Sequence, residues 1–471
     1  VRIPDRVASL LAPDGPLRRV ADALGGAGFE CHLVGGSVRD LLLGRERAGG
    51  PEFDLATNAR PPEIRRVLGP LASSLVTVGA RFGTVGAIVD GVRFEVTTYR
   101  AEVYLPESRK PEVRFGERIT DDLARRDFTV NAMALRLPEP ELVDPFGGVE
   151  DLAARRLRTP LAPEVSFGED PLRMLRAARF VATLGFEPVP EVTRAIARER
   201  HRLEIVSAER IRDELSRLLV ADDPSAGLWL LVRTRLSDEF LPELGAMRLE
   251  QDPVHRHKDV LAHTIAVVAR TRPDLVLRLA ALLHDIGKPK TRSFERGRVT
   301  FHHHEVVGAR MARERLVALR YPNHVVDDVT KLVFLHLRIH TYAMGWTDAA
   351  VRRYVRDAGP LLDRLNELQR ADCTTRNRRK AEQLARRMDE LEARIEALRA
   401  QEELARIRPP LDGREVMAFL GIPPGPLVGE ALDHLLELRL EEGPMDKDEG
   451  YRRLAAWAEA RGLPHTAPPA G

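Results

Sequence analysis

Two glycines and two carboxylates carry the first chemistry in this chain. Gly35 and Gly36 sit in the run Val34-Gly35-Gly36-Ser37-Val38-Arg39-Asp40, and Glu52 and Asp54 follow in Glu52-Phe53-Asp54-Leu55-Ala56-Thr57. Glycines lack a Cβ, so backbone amides at the start of a helix can close around a triphosphate, where the helix N-terminus favours negative charge. Residues 52 and 54 are two apart, which in a strand turns both side chains to one face. Paired carboxylates next to a phosphate cradle are what a magnesium-dependent nucleotidyl transfer requires. Glu95, in the alternating run Arg93–Thr98, offers a third acid. Two-metal chemistry needs one ion to lower the pKa of an attacking 3′-hydroxyl and a second to hold the triphosphate and leaving group.

Further along stand Arg125, Arg126 and Asp127, then Asn131, a set able to reach phosphate or ribose hydroxyls through charge-assisted hydrogen bonds. In Glu169–Phe180 the arginines Arg173, Arg176 and Arg179 recur at helical spacing, with Asp170 one turn before Arg173. The plain reading of Asp170 and Arg173 is an i,i+3 ion pair worth a few tenths of a kcal/mol. A sharper one uses base edges. Cytosine and adenine each present an amino donor beside a ring-nitrogen acceptor, whereas guanine and uracil reverse that order. An acceptor-only aspartate beside a donor-only arginine therefore fits C and A and rejects G and U, with no nucleic-acid template.

Histidine marks a second constellation. Ten of the fourteen histidines fall between His255 and His340. His263, the doublet His284-Asp285, His304, His336 and Asp372 supply nitrogen and oxygen ligands for one or two divalent metals. His340 is an alternative to His336, and Lys288 is placed to meet a substrate phosphate. These ligand types do not separate zinc, manganese, nickel and magnesium.

The elements that must position these residues read as an α+β chain. At 471 residues it is too long for one core and divides into three or four modules. Residues 1–150 mix short strand-type runs (Glu30–Val34, Thr84–Val89, Arg93–Thr98, Leu142–Asp144) with helical stretches and glycine turns, as a small sheet flanked by helices would. From about residue 151 the pattern is all-α. Prolines suggest edges that give a helical neck at 151–250, a histidine-rich domain at 251–375 and a helical tail at 376–471. Leu384, Met388, Leu391, Ile395 and Leu398 form a short heptad seam, read as internal packing rather than an oligomerisation coil. The Pro/Ala-rich end from Leu463 reads as disordered. A net charge of +2 conceals 73 basic and 71 acidic residues, so overall balance selects no partner. The two cysteines, Cys31 and Cys373, match no zinc spacing and fit a reducing cytoplasm, and no apolar run is long enough to span a bilayer.

The runs Gly35–Asp40, Phe53–Thr57, Arg125–Ala132 and Glu169–Arg173 resemble, in order and spacing, the motifs of bacterial class II CCA-adding tRNA nucleotidyltransferases, a family shared with bacterial poly(A) polymerases. Ser207–Leu215 is similar to the helix closing that region, and Pro423–Gly429 to a C-terminal segment of bacterial members. The resemblance implies a nucleotidyltransferase head, a nucleotide-selecting neck and helical regions that cup the tRNA acceptor arm. It implies stepwise addition of C, C and A from CTP and ATP with Mg²⁺ and release of pyrophosphate. Glu52, Asp54 and Glu95 would be catalytic, the first two as magnesium ligands. Gly35, Gly36, Arg39, Arg125, Asp127, Asn131, Asp170, Arg173, Arg176 and Arg179 would bind nucleotide.

One position departs from the family, which normally has aspartate at both metal positions where this chain has Glu52 first. The extra methylene moves the carboxylate by about 1.5 Å against Mg–O distances near 2.1 Å, so activity is expected with Asp54 the firmer ligand. CC-only members tend to lack a flexible loop before Arg125, and Arg100–Gly116 fills that region at full length here, which favours complete CCA addition. A-only addition and poly(A) synthesis stay open as alternatives. So does a non-catalytic, tRNA-binding front half. The histidine segment resembles an HD phosphohydrolase domain, in which His263, His284, Asp285 and Asp372 would form the inner metal set and His304 and His336 complete a second site. Its divalent metal and its substrate stay open, as does the oligomeric state. A cytoplasmic enzyme without a membrane partner is expected.

Overall fold

Alternation of apolar and polar residues builds the front half around one sheet. A computed structural model describes residues 11–45, 52–77, 79–80, 83–100, 115–249, 259–295, 298–341, 347–373, 378–401 and 407–466. Seven strands, β1 (Cys31–Val34), β2 (Glu52–Thr57), β3 (Ser74–Val76), β4 (Thr84–Val89), β5 (Val92–Thr98), β6 (Ala134–Leu137) and β7 (Glu141–Val143), lie in the order β3-β4-β5-β2-β1-β6-β7. Within this sheet, among the described residues, only β2 and β5 pair in parallel, with Glu52 opposite Arg93 and Asp54 opposite Glu95. In β5, Phe94, Val96 and Thr98 are buried while the intervening residues are more open, and Val85, Ala87 and Val89 are buried in β4. Phe53 and Phe94 stack across the parallel pair with ring centroids 5.6 Å apart. The helices Pro16–Gly26 and Pro61–Leu68 pack against this sheet through Leu17, Val20, Leu24, Ile64 and Leu68. One face is thus closed by apolar burial, and the opposite face is left to carry Asp54, Glu95 and Thr97.

The loop Arg100–Gly116 falls almost wholly outside the described residues, which omit 101–114. Its feet are pinned: Arg100 bridges to Phe115, and the Gly116 amide donates to the Tyr99 carbonyl at 2.7 Å.

Beyond the sheet in sequence, helix Leu172–Leu184 packs against helices Ala208–Leu219 and Ser225–Arg233. Gly227 permits that approach, since a Cβ there would lie 2.5 Å from the Ala178 carbonyl oxygen. The region is not purely helical, because a two-residue parallel ladder joins β8 (Arg156–Leu157) to β9 (Glu187–Pro188). Residues up to Gly245 form one compact unit, and Ala246–Gly471 form a second.

The second unit is built of helices with one hairpin, β10 (Arg292–Glu295) and β11 (Arg298–Phe301). Asp259 and Asp274 cap the helices Val260–Arg270 and Leu275–Leu283 by accepting from the Leu261 and Leu277 amides. The heptad residues Met388, Leu391, Ile395 and Leu398 lie on helix Arg378–Gln401 and are buried against helices Asp348–Ala358 and Leu362–Asp372; the Leu384 side chain is outside the description. Buried Arg352 donates to the Leu440 carbonyl at 3.1 Å, at the end of helix Pro426–Glu442. This ties the last helices to the histidine-rich part.

One expectation is corrected at the C-terminus. Residues 463–466 are ordered, not free: His465 stacks on Phe419 at 5.6 Å, and the Thr466 amide donates to the Phe419 carbonyl at 2.8 Å. A ring and a backbone donor fix these four residues, and 467–471, the rest of the run, lie outside the described residues.

Helix propensity favours alanine over glycine by about 1 kcal/mol, yet an overpacked contact costs about 1–3 kcal/mol. Gly227→Ala is therefore expected to lower the unfolding midpoint of the front unit, measured by thermal or urea denaturation.

Candidate functional site

The open face of the sheet ends in a cleft of about 660 Å³ lined by Gly35, Gly36, Asp54, Glu95, Arg125, Arg126, Asp170 and Arg173, among others. Gly35 has φ +68°, a left-handed conformation that side chains disfavour, and a Cβ there would lie 2.6 Å from Nη1 of Arg126. The glycine thus lets the Arg126 guanidinium lie over the turn, where Asp122 holds it at 3.0 Å. Arg39, on the helix that follows the turn, donates to Asp40 and, at 2.7 Å, to the Asn131 amide oxygen.

The three acids are not gathered equally. Asp54 and Glu95 line the cleft from neighbouring strands, whereas Glu52 is not among its lining residues. Arg93 lies between the acids, 3.3 Å from Glu52 and 3.1 Å from Glu95. Among the described residues the trio is not drawn together tightly enough to share one ion. All three partners are well exposed, so each contact is worth at most about 1 kcal/mol and yields readily to a divalent cation. Carboxylate oxygens are the hard donors magnesium takes, so the chemistry of Asp54, Glu95 and Glu52 fits it, the last two once Arg93 lets go.

Asp127 is buried at the back of the cleft. One carboxylate oxygen accepts from the Phe128 amide at 2.8 Å and from Asn131 at 2.9 Å, and the other accepts both Nε and Nη2 of Arg176 at 2.8 and 2.6 Å. Burial alone would push its pKa up, but Arg176 and these hydrogen bonds prevail and hold the carboxyl well below the usual range. Arg176 and Arg179 both reach Glu214, at 3.5 and 2.6 Å, and Arg179 lies over the Phe180 ring at 4.2 Å. Asp127, Arg176 and Arg179 line the cleft, yet their bonds are to one another's elements, so they build its wall.

Asp170 and Arg173 flank the cleft without pairing with each other. Asp170 accepts from the Leu172 amide at 3.2 Å and from Arg210 at 2.9 Å. Arg173 donates to the Ser166 hydroxyl at 2.9 Å, to Glu169 at 3.3 Å and to the Arg125 carbonyl. The i,i+3 ion pair read from spacing is replaced because Asp170 ends one helix and Arg173 belongs to the next.

Sequence reading missed Arg93, Arg210, Glu214 and Arg217. The last three follow at i, i+4 and i+7 on helix Ala208–Leu219, a spacing that places them on one helix face. Arg210 and Arg217 line the cleft.

In the second unit, helix ends bring the histidines together. His263, His284 and Asp285 form one group within metal-sharing reach, and Asp285, His304 and His336 form another, so Asp285 is common to both. Asp372 lies 2.8 Å from His263 Nε2 and 3.6 Å from His284 Nε2. Nδ1 of His284, His304 and His336 lies 2.8, 2.8 and 2.6 Å from the carbonyls of Ala281, Phe301 and Val333. A carbonyl only accepts, so each Nδ1 carries the hydrogen and each Nε2 is turned inward. Nε2 of His304 and of His336 is buried without any hydrogen-bond partner. Burial and the neighbouring His284 push His336 down to about 3, which keeps its inward nitrogen a lone-pair donor. Burial would also lower His284, but Asp285 and Asp372 draw it up to about 10. Orphaned imidazole nitrogens around clustered carboxylates are a donor set suited to divalent metal. Lys288 caps the centre, 2.7 Å from Asp285. The side chain of His340 lies outside the description.

Comparison with known proteins places the chain among relatives that span nearly its whole length. Residues 31–158 match the poly(A) polymerase head domain, 185–247 a probable RNA- and SrmB-binding site of polymerase A, and 260–396 the HD domain. Over 91% of its length the chain is 38% identical to the A-adding tRNA nucleotidyltransferase of Deinococcus radiodurans, covering 95% of that protein. Over 92% of its length it is 36% identical to the CC-adding tRNA nucleotidyltransferase of Thermus thermophilus, again covering 95%. The crystal structure of the Bacillus stearothermophilus CCA-adding enzyme in complex with CTP superposes with a TM-score of 0.67 at 27% identity, over 95% of this chain and 98% of that one. No helix among the described residues is long and apolar enough to cross a membrane.

Removing one partner of a buried ion pair costs about 3 kcal/mol. Asp127→Asn should lower stability by about that amount at pH 7. Because the folded pKa of Asp127 is depressed, its contribution is present above the unfolded value and lost as pH falls through the folded one. Acid titration of unfolding should therefore be flatter for the variant than for the wild type below about pH 4.

Proposed function

The chain belongs to the family of tRNA nucleotidyltransferases that holds A-adding, CC-adding and CCA-adding enzymes, and we propose that it completes the CCA end of tRNA from CTP and ATP, releasing pyrophosphate. One observation carries this reading: a single cleft is lined at once by the Gly35-Gly36 turn, by Asp54 and Glu95, and by Asp170 and Arg173. A phosphate seat, a carboxylate pair and a base-reading pair thus share one volume.

The glycine turn, with Arg126 above it, receives the triphosphate. Asp54 and Glu95, joined by Glu52 when Arg93 releases it, would hold Mg²⁺. When bound, the metal lowers the pKa of the tRNA 3′-hydroxyl and offsets charge on the triphosphate. Asp170 accepts from the amino group of cytosine or adenine, and Arg173 donates to the adjacent ring nitrogen. To do so they exchange Arg210, Ser166 and Glu169 for the base; the contact of Asp170 with the exposed Arg210 resists by only about 0–1 kcal/mol. Asp127, Arg176, Arg179 and Glu214 keep the two ends of the site in register.

A second reading is A-only addition, favoured by the 38% identity to an A-adding enzyme. The two separate on labelled tRNA lacking its last three nucleotides: CTP alone extends it by two if the full reading holds and leaves it unchanged if only A is added.

For the second unit we propose a metal-dependent phosphohydrolase in which His263, His284, Asp285, His304, His336 and Asp372 would hold the metal. The metal, when bound, supplies an activated water and polarises the phosphoryl oxygen. Lys288 faces the incoming phosphate and keeps Asp285 ionised. Both activities are proposed to operate in the cytoplasm.

Asp54→Ala should abolish nucleotide incorporation and leave phosphate-ester hydrolysis intact, while Asp285→Ala should do the reverse. The pair is checked by running both assays on both variants. Asp170→Ala should retain incorporation but lower the preference for C and A over G and U by about tenfold or more, read from single-nucleotide extension with each triphosphate.

A further inference from the structure

The hairpin β10–β11 is inserted between two candidate metal ligands, Asp285 and His304, and is strapped to the site at both feet. At its N-terminal foot Lys288 Nζ lies 2.7 Å from Asp285 and 5.6 Å above the Phe301 ring. At its C-terminal foot the Phe301 carbonyl accepts from His304 Nδ1. Arg292 is paired in register with Phe301, and Phe294 with Val299. Residues opposite each other, and residues two apart, share a face of a two-stranded ladder, so Phe301, Arg292, Phe294 and Val299 stand on one side. The result is a continuous strip running from Asp285 through Lys288, Phe301 and Arg292 to Phe294. Its outer end is unusual. Phe294 is 68% exposed, the most exposed of the large apolar side chains described, and the Arg292 guanidinium lies 5.0 Å from its ring centroid. Nε of Arg292 is buried and has no hydrogen-bond partner.

We propose that this hairpin is the base-recognition platform of the hydrolase site, stacking the unpaired nucleobase of a nucleoside phosphate on Phe294 while Arg292 and Lys288 accompany its phosphate toward Asp285. The inference deepens the hydrolase reading and rests on it for the direction in which substrate lies. An exposed ring held by a guanidinium is the sequence-tolerant stacking surface used for single-stranded bases, and cations along the strip attract the phosphate. A protein partner seated on Phe294 would not call for the basic track that leads inward from it. The selected substrate is therefore a phosphate ester bearing a base, in preference to a sugar phosphate alone.

The test uses the full chain and two probes that differ by the base, 2-aminopurine riboside 5′-monophosphate and ribose 5-phosphate. Stacking quenches 2-aminopurine fluorescence without any hydrolysis. The wild type should quench it, and Phe294→Ala should weaken the apparent affinity about tenfold, with Phe294→Tyr restoring it. Phosphate release should favour the base-bearing probe, and Phe294→Ala should reduce that preference by a similar factor. A five-nucleotide single strand ending in 2-aminopurine distinguishes sources: tighter quenching assigns RNA ends, and equal quenching assigns free nucleotides. Equal quenching by the wild type and Phe294→Ala overturns the platform. So does a change confined to sedimentation, which would assign Phe294 to self-association. If neither probe is hydrolysed with any divalent metal, the hydrolase reading fails, while the Phe294-dependent quench still decides whether the strip binds bases.

Discussion

A buried carboxylate that stays charged constrains the front half of the molecule. Asp127 could not remain ionised inside the protein without the four donors that surround it, namely two from Arg176, one from Asn131 and one from the Phe128 amide. Each donor fixes something else. Asn131 turns its oxygen to Arg39, on the helix that leaves the glycine turn, so the phosphate end of the cleft is tied to Asp127. Arg176 sits on the helix that carries Arg173, and its second bond to Glu214 brings in the helix that supplies Arg210. The glycine turn and the edge carrying Asp170 and Arg173 are thus held at a set separation by one charge that must be satisfied.

The chain carried two kinds of information. Period-two spacing turned Glu52 and Asp54 to one face of a strand, although only Asp54 of the two lines the cleft, and the six metal-type residues from His263 to Asp372 needed only their order to be singled out. What depended on pairing between distant elements was hidden. Nothing local says that Arg93 lies opposite Glu52, because the register of a parallel pair is set by the whole sheet. Likewise Arg210 and Glu214 read as a charged helix face until Asp170, Arg176 and Arg179 are packed against them. The Asp170–Arg173 ion pair failed for the opposite reason: local spacing assumed one continuous helix where two meet. The ladder of β8 with β9 and the ordering of His465 on Phe419 depend on contacts too short, or too far apart in sequence, to leave a pattern.

The two candidate centres prepare for cations in contrasting ways. In the head, exposed acids are balanced by an exposed guanidinium, and screening by water makes each contact weak enough to exchange. In the second unit the ligands are buried, and backbone carbonyls orient three imidazoles in advance. There the carboxylates draw a proton onto His284, so charge is compensated at high local cost until a metal replaces it. A transferase that must admit and release a triphosphate at every step suits the first arrangement. A hydrolytic centre that keeps its metal suits the second.

The guanidinium of Arg352 has a mechanical consequence. It closes the final turn of helix Pro426–Glu442 by binding carbonyls that the helix cannot satisfy itself, and Gly443 makes room for it, since a Cβ there would lie 3.0 Å from Nη2. The stitch spans almost ninety positions of chain, so fraying of the last turn of helix Pro426–Glu442 also breaks a bond to helix Asp348–Ala358. Loss of order at that helix end is therefore coupled to the helix that carries Arg352, although the two are remote in sequence.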